Sequence, residues 1–151
     1  MWMKASDAIS GKEGSVIANL DGTIYEVAEM KNITAKITKK KAEFRSLGHR
    51  GDQHKATGWS GTAQATLHYG NSKWLKMMID YIKTGKDQYF SVILTNEDPT
   101  SELGVQRVRL DGCNLDEADI SKIDVDADIL DMAVNFTFDD VDLLDEFAPI
   151  R

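Results

Sequence analysis

Residues 14–30 read GSVIANLDGTIYEVAEM, two short apolar runs separated by the pair Asp21-Gly22. Asp-Gly tolerates the positive φ values of a tight two-residue turn. The stretch therefore predicts a β-hairpin, and with it a chain built mainly from strands. Directly downstream, residues 33–38 (ITAKIT) alternate apolar and polar side chains, as a strand does when one face is buried and the other is in water.

Extended patterns dominate the rest of the chain. The segments 59–69, 88–95, 105–112 and 120–138 are short, rich in apolar or Thr residues, and separated by turn-forming residues. A chain of 151 residues fits one ordinary domain. The sequence therefore predicts a single mainly β domain over residues 1–151, a mostly antiparallel β-sandwich or barrel with one flanking α-helix.

That helix is predicted over SKWLKMMIDYIKTG, residues 72–85. Ser72 is a suitable N-cap, and Gly85 is the usual residue for ending a helix. The apolar residues that recur at helical spacing are Trp74, Leu75, Met78, Ile79 and Ile82. This stripe predicts a helix face packed against the sheet rather than a ligand pocket.

The segment from about residue 39 to residue 58 (KKKAEFRSLGHRGDQHKATG) has three glycines, many charges and almost no large apolar residue. Burial of so little apolar surface cannot offset the entropy of ordering the chain, so the segment is predicted to be a long loop or arm. Loops of about 20 residues in a compact domain are normally functional or disordered. As the candidate contact between copies we take Lys39, Lys40, Lys41, Phe44, Arg45, His49, Arg50, His54 and Lys55.

Charge is distributed very unevenly in this chain of net charge −7. Residues 31–58 carry eight Lys or Arg against two acids, a net charge of +6, whereas residues 111–146 carry thirteen acids and one Lys, a net charge of −12. Patches of opposite charge can pair within one chain or between neighbouring copies. The acidic end, about residues 139–151, is predicted to be a loosely held tail.

Residues 123–129 alternate apolar side chains with Asp124, Asp126 and Asp128. The alternation predicts a strand whose three carboxylates share a solvated or interface face. The same aspartates do not form a calcium loop, because its sixth and twelfth positions would be Ile129 and Asn135 instead of Gly and Glu.

No other motif supports catalysis, a metal or a cofactor. His49 and His54 lie in the predicted arm, where no helix holds them together, and the sequence contains no phosphate-binding glycine loop. Cys113 is the single cysteine and is predicted to lie in the core. The sequence has neither an apolar run of membrane-spanning length nor a signal-peptide pattern, so we expect a protein made in the cytoplasm that does not bind membranes by itself.

Nucleic-acid binding through the arm is the alternative function. The concentrated Lys and Arg residues favour it, since such binding depends on neutralising phosphates. The net charge of −7 opposes it, and Phe44 and Trp59 are the only aromatic residues that flank the arm.

Three segments carry a resemblance to a known family: KASDAISGKEGSVIANLDG at 4–22, the long stretch from LGHRGDQHKATGWSGTA to TNEDP at 47–99, and KIDVDADILDMAVNFTFDDVDLLDEF at 122–147. The first contains an SGKEG start. The second contains HK-x-TG-x-x-GTA followed by a W-L-x-M-M-x-D-Y-x-K-x-G helix, and the third contains a V-x-F-T-F strand. In this order they resemble the tail tube proteins of PBSX-type prophages and related contractile-tailed phages, nearly from end to end.

The resemblance implies a structural subunit without a cofactor. Six copies would form a ring, and rings would stack into a hollow tube inside a contractile sheath, with baseplate and tail terminator proteins as further partners and DNA passing through the lumen. A long loop between two early strands reaches a neighbour in this family, and it corresponds to residues 39–58. Lumens of the family tend to be acidic, which makes Asp124, Asp126 and Asp128 candidates for the wall. The subunit would be assembled in the host cytoplasm and end in the tail of a virion or phage-like particle.

Overall fold

A computed structural model describes residues 2–149. Within these residues, eight strands, one α-helix and a short 3-10 turn follow one another. In order they are the 3-10 turn Ala5–Asp7, β1 Gly14–Leu20, β2 Thr23–Glu26, β3 Met30–Phe44, β4 Gln53–His68, α1 Lys73–Thr84, β5 Phe90–Glu97, β6 Val105–Ala118, β7 Asp131–Phe138 and β8 Asp140–Asp145.

The strands form two antiparallel sheets that share β6. Strand order is β2-β1-β5-β6-β8 in one sheet and β6-β7-β4-β3 in the other. Strand β6 pairs with β8 up to Asp111 and with β5 up to Cys113, and it pairs with β7 from Asn114 onward. Gly112 has a φ of 64° immediately before this change of partner, a conformation that glycine adopts without strain. The prediction of a mainly β, mostly antiparallel fold is confirmed.

The hairpin predicted from Asp21-Gly22 is also confirmed. Strands β1 and β2 pair from Leu20↔Thr23 to Ile17↔Glu26, and the two turn residues have φ values of 52° and 82°. Positive φ at both central positions is the geometry that matches the twist of the flanking strands. The local pair thus sets the register of the first two strands.

The core lies between the sheets and under the helix. The rings of Trp74 and Phe90 lie 5.6 Å apart, and those of Phe90 and Phe136 lie 5.5 Å apart, so one aromatic contact chain joins α1 to both sheets. Cys113 is completely buried in this core, as predicted. Its burial, together with the charges of Asp111 and Asp139, raises the pKa of the thiol to about 12.

Helix α1 has the predicted ends, but its buried face differs from the prediction. Gly85 ends it with a φ of 73° and donates its N–H to the carbonyl of Tyr81. Only Trp74 and Met77 are buried, whereas Ile79 and Ile82 are 40% and 68% exposed. Only the first two turns bury side chains in the core, so the apolar residues of the last turns remain in solvent.

Residues 39–58, predicted to be a long loop or arm, are not a long loop. Strand β3 continues to Phe44 and β4 begins at Gln53, so only residues 45–52 connect the two strands. The backbone groups pair across the hairpin and need no buried side chains to do so. Gly48 and Gly51 lie in the connection, where they interrupt no strand.

Two further sequence predictions are wrong in part. Residues 121–130 form turns and irregular backbone instead of a strand, so Asp124, Asp126 and Asp128 do not lie on a strand face. The C-terminal segment is not wholly a loose tail, because β8 pairs with β6 from Asp140 to Asp145. Residues 150 and 151 of the predicted tail lie outside the described residues.

Candidate assembly surface

Strands β3 and β4 extend well beyond the sheet to which they belong. Strand β4 pairs with β7 only from Gly61 to His68. Beyond Gly61, residues 53–60 of β4 pair only with residues 38–44 of β3. We call residues 38–60 the hairpin arm. All of its residues are exposed, so it is a two-stranded ribbon in solvent.

The base of the arm is fixed by aromatic packing. Trp59 is the last large residue of the arm before the sheet, and its ring lies 6.2 Å from the ring of Phe138, which is 3% exposed. Phe138 belongs to the core, so this contact couples the start of the arm to the folded body.

A β-bulge lies one residue pair further out. Lys40 is opposite Gly58 and Lys41 is opposite Ala56, which leaves Thr57 without a partner in β3. The hydroxyl of Thr57 donates to the carbonyl of Lys40 over 3.2 Å and holds the bulge closed. Bulges bend a ribbon and increase its twist, so this one sets the direction of the arm.

The tip is closed by local polar contacts. Arg45 lies 3.6 Å from Glu43, at the end of β3, and 3.6 Å from Asp52, the last residue of the connection before β4. The ring of His49 donates from Nδ1 to the carbonyl of Gly51 over 2.7 Å. His54 lies on β4 opposite Glu43, so the two histidines of the predicted arm occupy different parts of the hairpin.

The remaining basic residues of the arm are available to a partner. Within residues 2–149 none of them makes an ion pair with a carboxylate; they are Lys39, Lys40, Lys41, Arg50 and Lys55. Large apolar side chains at or beside the arm are also exposed, namely Ile37, Phe44, Leu47 and Trp59. Charged groups that surround exposed apolar residues are characteristic of protein interfaces.

The acids of the C-terminal half include two groups of interest. In the first, three acids on β6 and β8 pair with arginines: Arg107 contacts Asp145 over 3.2 Å, and Arg109 contacts Asp111 over 3.0 Å and Asp142 over 2.8 Å. Carboxylates of Asp111, Asp140 and Asp142 lie within 4.8 Å of one another, close enough to share a cation. The guanidinium of Arg109 supplies positive charge to two of them, Asp111 and Asp142.

The second group lies on the connection between β6 and β7, residues 119–130, which we call the acidic loop. Its ends are closed by hydrogen bonds: Asp119 exchanges two with Ala133, and Leu130 accepts one from the N–H of Tyr69. Inside the loop the Asp124 carboxylate accepts the N–H of Asp126 over 3.0 Å.

The acidic loop exposes both its charges and its apolar residues. Asp124, Asp126 and Asp128 are exposed and make no ion pair with the described lysines and arginines. The large apolar side chains of the loop are Ile120, Ile123, Val125 and Ile129, which are 65%, 94%, 96% and 71% exposed. Exposed apolar residues grouped in this way are characteristic of interaction surfaces.

The hairpin arm and the acidic loop lie at opposite ends of one sheet. Strands β4 and β7 pair from Gly61↔Phe138 at the end where the arm leaves to His68↔Asp131 at the end where the acidic loop arrives. At that second end Lys31 donates to Asp131 over 3.0 Å, and this hydrogen bond lowers the pKa of the Asp131 carboxyl.

Sequence reasoning identified the basic residues of the arm but missed three features of these surfaces. The bulge at Thr57, the exposed tip residue Leu47 and the exposed apolar residues of the acidic loop were not recognised. Gly58, directly after Thr57, is a possible signal for the bulge, since glycine within a strand pattern often marks one. The exposure of Ile123 and Val125 has no signal in the sequence, because their spacing equally fits a half-buried strand.

The fold and these surfaces define a structural β-protein. Within the described part of the chain, no helix has the length and apolar character needed to cross a membrane.

Comparison with known proteins supplies the family. A family model described as "Phage tail tube protein" matches residues 1–145. The phage-like element PBSX protein XkdM of Bacillus subtilis strain 168 is 40% identical over 148 residues, 98% of each chain. The chain belongs to the phage tail tube protein family, and it is a structural subunit of a phage or phage-like tail, not an enzyme. The predicted family and role are thereby confirmed.

Solved structures agree in fold. A chain of the cryo-EM structure of the anti-feeding prophage baseplate, 6-fold symmetrised, is 14% identical with a TM-score of 0.69, over 95% of this chain and 97% of that one. A chain of the sheath-tube complex of the PVC extracellular contractile injection system, in the extended state, is 11% identical with a TM-score of 0.69, over 90% of both chains. At these identities the likeness supports the fold.

Proposed function

We propose that the hairpin arm joins copies of this tail tube subunit into rings of six, which stack into a hollow tube. The observation that carries the proposal is an arm exposed at every residue, with unpaired basic side chains beside exposed apolar ones. A two-stranded ribbon that contacts the core of its own subunit only through Trp59 at its base contributes little to folding, whereas it suits a contact with a neighbour. The six-fold symmetry described for the anti-feeding prophage baseplate supports the ring size.

Further partners follow from the same proposal. Chains of this fold occur in a baseplate and in a sheath-tube complex. We therefore include sheath, baseplate and terminator proteins as partners of the tube, passage of DNA through its lumen, and assembly in the host cytoplasm before the tail is complete.

A deletion tests the role of the arm. Replacing residues 41–56 by Asn-Gly joins Lys40 to Thr57 through a pair that forms tight hairpin turns. Because the arm contributes no core residue, the variant should keep the circular dichroism spectrum and the unfolding midpoint of the wild type. It should form no tubes in negative-stain microscopy at concentrations where the wild type does. Normal tubes from a folded deletion variant would contradict the proposal.

A charge reversal tests whether the arm acts through its positive charge. Lys39→Glu, Lys40→Glu and Lys41→Glu together should abolish tubes without changing the fold. The matched control reverses three exposed lysines on and just after α1, Lys76→Glu, Lys83→Glu and Lys86→Glu, with the same change in net charge. Tubes should persist in the control, and equal loss in both variants would count against a specific role of the arm.

Nucleic-acid binding by the arm is a second candidate, favoured by the unpaired lysines alone. A gel-shift titration of the purified subunit with duplex and single-stranded DNA distinguishes the two functions. Retardation that disappears as salt is raised, and that is absent from the charge-reversed arm, would support it. The assembly proposal expects no shift from the free subunit.

A further inference from the structure

We infer that the acidic loop of one copy receives the hairpin arm of the next copy, so that subunits join head to tail. This inference rests on the proposed function and adds to it the partner surface of the arm. It assigns Asp124, Asp126 and Asp128 to a contact between copies instead of the lumen wall.

The first support is position. The arm leaves the sheet at the Gly61↔Phe138 pair, and the acidic loop meets it at the His68↔Asp131 pair, seven residues away along β4. At about 3.3 Å per residue, this separates the two surfaces by roughly 23 Å within one copy. Any contact between the two surfaces is therefore a contact between copies, and each copy offers one of each. Such a heterologous contact repeats from copy to copy, as a ring or a stack requires.

The second support is charge. The arm has basic groups without carboxylate partners, and the acidic loop has carboxylates without basic partners among residues 2–149. By contrast, Asp111, Asp142 and Asp145 on β6 and β8 are paired with Arg107 or Arg109. The acidic loop is thus a surface whose charge remains uncompensated in the single copy, and complementary potentials favour encounter and register between partners.

The third support is the exposed apolar surface on both sides. Ile123 and Val125 are 94% and 96% exposed on the loop, and Phe44 and Leu47 are 55% and 103% exposed on the arm. A DNA-facing wall needs repelling charge but gains nothing from isoleucine and valine in water. An interface combines an apolar centre with a charged rim, which is the composition of both surfaces.

Mixing reversed chains tests the pairing. The arm-reversed chain carries Lys39→Glu, Lys40→Glu and Lys41→Glu, and the loop-reversed chain carries Asp124→Lys, Asp126→Lys and Asp128→Lys. Each alone brings like charges together at every contact and should form no tubes. Mixed in equal amounts, they offer an acidic arm to a basic loop and a basic arm to an acidic loop, so tubes containing both chains in equal amounts should appear in negative-stain images and pellets.

A charge-matched control makes the rescue specific. A chain with Glu26→Lys, Asp80→Lys and Glu146→Lys gains the same charge as the loop-reversed chain, on exposed positions outside both surfaces. Mixed with the arm-reversed chain, it should not give tubes that contain the two in equal amounts. Equal rescue by the control, or no rescue by the loop-reversed chain while all variants stay folded by circular dichroism, would overturn the inference.

Cysteine cross-linking tests the contact without changing charge. The native Cys113 is fully buried, so an introduced cysteine is the reactive one in the folded chain. Tubes assembled from equal amounts of Leu47→Cys and Val125→Cys chains should yield a cross-linked heterodimer with a flexible bifunctional thiol reagent. Leu47→Cys with Lys83→Cys should not.

The outcomes separate this inference from the proposed function. If deletion of the arm abolishes tubes but the loop-reversed chain still forms them, the arm remains a contact needed for assembly. That result would overturn only the docking of the arm on the acidic loop. The absence of any wild-type tube, ring or oligomer would overturn the proposed function itself.

Discussion

Gly61 lies so close to the ring of Phe138 that a Cβ on Gly61 would clash with the ring atom Cε2. Phe138 is 3% exposed and packed in the core, with the ring of Trp59 against it. The ring therefore has little room to move away. This contact lies at the pair of residues where the hairpin arm leaves the sheet.

Gly61→Ala should therefore destabilise the subunit. Overpacking of a well-filled core costs about 1–3 kcal/mol of unfolding free energy, and urea denaturation followed by tryptophan fluorescence measures it. The control is Gly58→Ala, whose added Cβ would meet nothing within 4 Å, with an expected change within about 0.5 kcal/mol. Equal stability of the two variants would show that the Phe138 ring yields freely.

Stability should depend on pH through Asp131. The hydrogen bond from Lys31 lowers the pKa of this carboxyl, and the charges of Lys31 and His68 act in the same direction against partial burial. A folded-state pKa below the unfolded value means that the contribution is present above about pH 4 and is lost as pH falls through the folded value. The gap in unfolding midpoint between wild type and Asp131→Asn should therefore be widest at neutral pH and close under acidic conditions.

Added salt and a second acid, Asp116, provide the checks on Asp131. The gap should narrow in concentrated NaCl, because screening weakens partly exposed ion pairs. Asp116→Asn removes an exposed carboxylate that makes no ion pair with the described residues, and it should show no comparable gap. A gap that is independent of both pH and salt would contradict the electrostatic origin.

A tyrosine of unusually high pKa should be detectable in alkaline titration. The hydroxyl of Tyr25 donates to the carboxylate of Glu29, and Asn71 donates to both, while the ammonium of Lys73 lies 3.4 Å from the centre of the Tyr25 ring. The pKa of Tyr25 is raised to about 12, mainly by burial and then by the hydrogen bond to Glu29 and the negative charge of Glu29. The stability contribution of the neutral phenol is accordingly present below about pH 10 and lost as pH rises through about 12.

Ultraviolet absorbance of tyrosinate measures this titration. A component near pH 12 should be present in the wild type and absent from Tyr25→Phe. Tyr89→Phe, which removes an exposed ring, should leave that component unchanged. If this component persists in Tyr25→Phe, another tyrosine is responsible for it.

The features that the sequence predicted well depend on neighbouring residues. Asp21-Gly22 forms its turn because both residues tolerate positive φ, and Gly85 ends the helix for the same reason. Each signal acts within a few residues, so it can be recognised without knowing which strands lie side by side.

The features that it predicted badly depend on strand neighbours. Residues 39–44 form a strand because residues 53–58 lie opposite them, despite their charge. Residues 123–129 have better alternation, yet they are not a strand, because β6 and β7 already pair from Ala118↔Val134 and leave the connection without a partner. Alternation describes which faces a strand would have, but hydrogen-bonding partners decide whether the strand forms.

The single residue inserted at Thr57 determines which side chains the two sides of the arm display. Without the inserted residue, strict alternation from Trp59 would place Lys55 on the same side of the ribbon as Lys39 and Lys41. With the insertion, Lys55 lies opposite Ala42, on the same side of the ribbon as Lys40. Basic groups therefore occupy both sides of the ribbon. A partner surface of uniform negative charge would attract either side equally, so charge alone cannot orient the arm about its own axis. The two sides differ in their apolar residues, with Ile37 and Trp59 on one side and Phe44 on the other. These apolar residues must therefore determine which side of the arm faces the partner.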